Sequence, residues 1–147
     1  MGNPKGTARE TRWKGQGEAR GFRAQRYENG AKCRDVDFTL RDGTLVLHEC
    51  KDRQNLNGHK VLATMLATYP GHLCALLWHR VSKPPGAKRS HPDGPTSVLI
   101  PADTWLDVLE VLEAAGLHAD RPNRDATFEG LVDAVAGFRS RYPESVL

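Results

Sequence analysis

The chain has too few cysteines, in the wrong places, for a disulfide scaffold. Cys33, Cys50 and Cys74 are an odd number in 147 residues and form no C-x-x-C pair. That removes a disulfide framework and zinc-knuckle spacing, and predicts free thiols in a reducing compartment. Long apolar runs are missing too. Nothing approaches the roughly 18 consecutive apolar residues of a membrane span, and the first residues, MGNPKGTARE, lack the apolar core of a signal peptide. A cytoplasmic protein without a membrane partner is therefore expected. The six histidines, His48, His59, His72, His79, His91 and His118, show neither H-E-x-x-H nor another paired ligand spacing, which argues against a zinc enzyme. No internal repeat is found.

What is present suffices for one self-standing core: 39% of the 147 residues are hydrophobic, so residues 1–147 are expected to form a single domain. The net charge of +3 is unevenly spread. Residues 1–34 carry nine Lys/Arg against three acids, whereas residues 102–147 carry four against nine. A polyanion such as DNA would dock at the N-terminal half. An ordinary solvated surface is the plainer explanation of the same charges.

Periodicity predicts an α/β fold in which a mixed central sheet is flanked by helices. A first helix is expected over 6–20 despite Gly15 and Gly17, each worth about 1 kcal/mol against it. A short strand over Phe22–Tyr27 and a turn at Glu28-Asn29-Gly30 follow. Leu56–Tyr69 has helical spacing, His72–Val81 reads as a central strand, and residues 82–95, rich in Pro, Gly and basic residues, read as a loop. Ser97–Ile100 is expected as a short strand. Two helices make a C-terminal helical part over 102–141, the first capped by Asp103 and stopped by Gly116, with Trp78 and Trp105 assigned to the core.

The informative stretch is RDVDFTLRDGTLVLHECKDR, Arg34–Arg53. Apolar and polar residues alternate on both sides of Asp42-Gly43, so it reads as a hairpin with strands near 35–41 and 44–51. Side chains two apart share a face, which groups Asp35 with Asp37 and Glu49 with Lys51. If register brings these faces together, three carboxylates and an ammonium converge. Such a cluster needs a cation, and hard oxygen donors suit Mg²⁺ or Mn²⁺. Lys51 beside the metal is then available to orient or deprotonate a water. The plain alternative is a solvated edge hairpin whose charges pair as salt bridges. Cys50, between Glu49 and Lys51, should face the core as a buried thiol.

Asp35 followed by Glu49-Cys50-Lys51 resembles the D-x(n)-E-x-K signature of the PD-(D/E)XK nuclease superfamily. Lys5-Gly6 ahead of Glu10, and Gly21-Phe22 after the first helix, have the order found in archaeal-type Holliday junction resolvases. The resemblance covers about residues 5–80. Arg34 stands before Asp35 where a proline is the namesake residue, and Trp13 replaces the usual leucines of the first helix. By resemblance, the core is restriction-endonuclease-like and the catalytic residues are Glu10, Asp35, Glu49 and Lys51. The metal set is drawn from Glu10, Asp35, Asp37, Glu49 and Cys50, with either aspartate as first ligand. DNA contacts are expected from Lys5, Arg9, Arg12, Lys14, Arg34, Arg53, Lys83, Lys88 and Arg89. The implied activity is metal-dependent cleavage of four-way DNA junctions by a homodimer. A restriction-like or repair nuclease on another DNA substrate, and a DNA-binding module that keeps the fold without cutting, are the alternatives.

Overall fold

A computed structural model of the chain describes residues 4–27, 31–115 and 128–145, apart from the side chains of residues 4–6, 93 and 128. The order of elements is α1 (Pro4–Ala19), β1 (Arg23–Arg26), β2 (Val36–Thr39), β3 (Leu45–Asp52), α2 (Gly58–Thr68), β4 (Leu73–Ser82), β5 (His91–Leu99), α3 (Ala102–Ala115), α4 (Phe128–Arg141) and a 3₁₀ turn at Pro143–Ser145. The five strands form one mixed sheet in sequence order. Only β3 and β4 are parallel, with α2 as the crossover between them. No helix among the described residues is long and apolar enough to cross a membrane.

The hairpin forms where Asp42-Gly43 predicts it. Gly43 adopts a φ of 89°, and the Asp42 side chain accepts the Thr44 N–H at 2.9 Å, so the turn uses both residues of the signal. The register pairs Val36 with His48, Asp37 with Leu47 and Phe38 with Val46. One face therefore carries Val36, Phe38 and His48, and the other carries Asp37 and Leu47. On the first face lies α1. Trp13 stacks on Phe38 at 5.3 Å and meets His48 edge-on at 5.5 Å. Gly17 explains itself here, because a Cβ at that position would stand 2.5 Å from the Phe38 ring. On the opposite face Met65 of α2 packs with Leu47 and Cys74 in a buried cluster.

Three expectations change. β4 and β5 continue as an antiparallel ladder to Ser82 and His91, so the irregular stretch shrinks to residues 83–90 and the strand expected at Ser97 starts at His91. Local composition misread it because Pro92 and Pro95 lie in an edge strand, where a missing N–H is tolerated. Asp103 lies inside the first turn of α3, which already begins at Ala102, and so does not cap it. Trp105 is not core: it is 50% exposed, beside Leu106 and Leu109 on a helix whose main contacts are with α4. The turn at Glu28-Asn29-Gly30 and the stop at Gly116 lie outside the described residues.

The C-terminal helices are tied back to the sheet by polar contacts. Arg139 reaches the Asp42 carboxylate at 3.2 Å and the Ser145 hydroxyl accepts the Leu73 N–H at 2.7 Å, while Tyr142, just after α4, donates to Asp107 of α3 at 2.6 Å and so joins the two helices.

Candidate active site

The acidic and basic residues of the hairpin are not on a solvated edge. β3 is the middle strand of five, and Glu49 and Asp37 are only 5% and 3% exposed. Asp35 stands just before β2. Its N–H donates to the His48 carbonyl at 2.8 Å, and its carboxylate accepts the Cys50 N–H at 2.7 Å. The carboxylate is thereby held against β3 between Glu49 and Lys51. Glu49 is ion-paired with Lys51.

Glu10 comes to this group from α1. Arg26 of β1 holds its carboxylate at 3.4 Å. Burial raises the Glu10 pKa above the ordinary carboxylate value, and the Asp35 charge raises it further, while Arg26 and Lys51 oppose both. Glu49 is raised in the same way, first by burial, with Lys51 opposing and the neighbouring Asp35 carboxylate adding to it. The Cys50 thiol is pushed far up by burial and by the charges of Asp35, Glu10 and Glu49, so it stays protonated at neutral pH. The charges of Asp35 and Lys51 thus act on both Glu10 and Glu49, and all four groups act on the Cys50 thiol.

Asp37 goes elsewhere. Tyr27 donates to it at 2.8 Å and Arg34 Nε at 2.9 Å, and Arg34 itself lies over the Tyr27 and Tyr69 rings at 4.7 and 5.5 Å. Asp37 and Arg34 thus form a buried, fully engaged pair one step inboard of Asp35. Of the two aspartates, Asp35 is the one brought beside Glu49.

The basic residues divide likewise. Arg9, Arg12, Lys51 and Arg53 line one cavity of about 510 Å³ at the open end of β3. Cys50 shares that wall and is half-buried there, instead of lying in the core. Arg9 is held there by Asp52 at 3.2 Å. Lys14 pairs with Glu18 at 3.0 Å on the outer side of α1, and Lys83, Lys88 and Arg89 are at the β4–β5 tip. Lys5 belongs to the first turn of α1, with its side chain outside the described residues. Two participants escape sequence reasoning, Arg26 as the partner of Glu10 and Asp52 as the partner of Arg9. Neither has a motif; the only available signal was that Asp52 and Arg26 are charged residues at strand positions.

Among the described residues, no three His, Cys, Asp or Glu side chains are gathered closely enough to grip a metal ion. In kind, however, the donors fit a hard divalent cation. Glu10, Asp35 and Glu49 offer only oxygen, and the first and last carry raised pKa values that a nearby cation would relieve. Neither a family model, a curated protein nor a solved structure matches this chain.

Proposed function

We propose that this protein is a metal-dependent DNA endonuclease with a restriction-endonuclease-like core, resembling Holliday junction resolvases and cutting four-way junctions as a homodimer. The observation that carries the reading is the Asp35 carboxylate bonded to the Cys50 N–H between Glu49 and Lys51, with Glu10 in electrostatic reach from α1. The Glu10 and Glu49 carboxyls are raised by burial and by the Asp35 charge, and perturbed carboxyls of this kind cluster at functional sites.

Glu10, Asp35 and Glu49 would hold Mg²⁺ or Mn²⁺. When bound, the cation supplies charge stabilisation at the phosphate oxygens and a more acidic water. Lys51, ion-paired with Glu49, would orient that water or contact the phosphate. Arg26 restrains Glu10, and the Cys50 N–H fixes the rotation of the Asp35 carboxylate. Asp37 has no part in the chemistry; with Arg34 it sets the chain that enters β2. Symmetric nicking of a branched molecule requires two copies of a one-site chain, which is the reason for a homodimer.

The test is incubation with a four-way junction, a nicked duplex and a linear duplex, with and without Mg²⁺. Metal-dependent cutting of the junction is expected. Cutting of the linear duplex at the same rate points to a restriction-like or repair nuclease instead. Binding without cutting in Mg²⁺ and in Mn²⁺ sinks the enzyme reading in favour of a DNA-binding module.

A further inference from the structure

A cavity opens beside Lys51. Its walls come from three elements: Arg9 and Arg12 of α1, Lys51 and Arg53 at the end of β3, and Val81 and Pro92 of the β4–β5 hairpin. At about 510 Å³ it has the size of a small-molecule site. Four cations face one carboxylate there, that of Asp52. Arg12 and Arg53 are exposed and, among the described residues, engaged in no ion pair.

The floor next to the cavity is polar and incompletely satisfied. Arg9 binds Asp52 at 3.2 Å, yet Arg9 Nε and Asp52 Oδ1 are buried with no partner among the described residues. His79 pairs with Asp52 across β3 and β4 and so shares its face. It is 7% exposed, with Nδ1 on the Thr96 hydroxyl at 2.8 Å and Nε2 buried without a partner among the described residues. Buried polar atoms of this sort are uncommon and costly, and three of them cluster around one basic cavity. Opposite them the hairpin offers apolar surface, Val81 and Pro92, on which a sugar or base can lie.

A basic end and an apolar wall, in a volume of the size that holds one small ligand, match one nucleotide. We infer that this cavity binds a single unpaired nucleotide of the DNA strand next to the cleavage site, with its phosphate on Arg12 and Arg53. The position relative to the cut rests on the nuclease reading; the binding does not. The protein should therefore favour DNA with an unpaired nucleotide at a branch or end. Arg9, held by Asp52, is a positioning residue for that phosphate.

Fluorescence anisotropy in EDTA, where no cutting can occur, tests this apart from the enzyme reading. The probes are a blunt duplex and the same duplex with a short single-stranded extension, with a free deoxynucleoside monophosphate as competitor. The extension should raise the affinity of the wild type by about ten-fold, the worth of one stacked, phosphate-held nucleotide. Replacing Arg12 and Arg53 together by Ala, both being exposed, should remove that advantage while blunt-duplex binding falls less. Equal affinity of the wild type for both duplexes overturns the inference, as does an undiminished advantage in the double variant. Displacement of the extension by submillimolar free mononucleotide would reassign the cavity to a free nucleotide. Metal-dependent cleavage of a junction, assayed separately, can succeed or fail independently of each result.

Discussion

The Asp35 carboxylate accepts the Cys50 N–H at 2.7 Å, across from a residue fifteen positions later in the chain. This bond spans the hairpin and sets a carboxylate beside both Glu49 and Lys51. A bond from a backbone donor restrains it without spending a side chain, so the site's geometry depends on strand register.

Loss of any one of the three carboxylates proposed to hold the metal should abolish metal-dependent cleavage. Asp35→Asn, Glu49→Gln and Glu10→Gln are each expected to lower the rate about 100-fold or more, since each disturbs the several kcal/mol a metal contributes. Glu18→Gln is the control: Glu18 is exposed and, among the described residues, its side chain pairs only with Lys14, so its variant should cut nearly normally. Comparable small losses for Glu10→Gln and Glu18→Gln in a gel cleavage assay would remove Glu10 from the site.

Glu49→Gln should separate function from stability. The folded-state pKa of Glu49 is raised, so the ionised form is disfavoured by the fold, and stability falls as pH rises through the ordinary carboxylate range toward that pKa. A neutral isostere escapes this cost at neutral pH and has little to gain at pH values below the ordinary carboxylate range. Thermal melts should show the variant a few degrees above wild type at pH 7.5, with the gap closing toward pH 4. A variant that melts lower at pH 7.5 would mean that the Lys51 pair outweighs burial.

His48 should make the protein acid-sensitive. Burial lowers its pKa to about 4 from 6.5, so the fold holds it neutral. Its contribution is fully present above about pH 6.5 and is lost as pH falls toward 4, where the gap is worth about 3 kcal/mol. Urea unfolding of the wild type between pH 7 and pH 4 should lose more stability than that of His48→Phe, by up to this amount. Parallel pH profiles for the two proteins would refute the assignment.

Two glycines of α1 should respond oppositely to alanine. A Cβ at Gly15 would meet open space, so Gly15→Ala should gain about 0.5–1 kcal/mol from helix propensity. At Gly17 the new methyl meets the Phe38 ring at 2.5 Å, and overpacking of about 1–3 kcal/mol should outweigh the propensity gain. Denaturant midpoints of the two variants on the same side of wild type would contradict this packing.

The sequence by itself determined the elements whose signals are local. The Asp42-Gly43 turn, the alternation through Val36–Phe38 and Val46–His48, and the helical spacing ahead of Pro70-Gly71 each depend on neighbours in the chain, and the structure contains each of them. The charged cluster was legible too, as a departure from what strands favour. Local reading failed where an element's environment decides its form. Pro92 and Pro95 are compatible with a strand only because β5 is at the sheet edge, and Trp105 is half exposed on α3, a helix whose main contacts are with α4.

Only the tertiary structure decided which aspartate joins the site. Asp35 and Asp37 share a face by alternation, and nothing in their spacing separates them. They part because Tyr27 and Arg34 donate to Asp37, whereas Asp35, outside the ladder, meets a backbone N–H of β3. Hydrogen-bond donors brought from distant positions set where a buried carboxylate rests, because an unpaired one is too costly to leave in the interior. The same reason joins Glu10 to Arg26 and Arg9 to Asp52, contacts that form only after α1 has packed on the sheet.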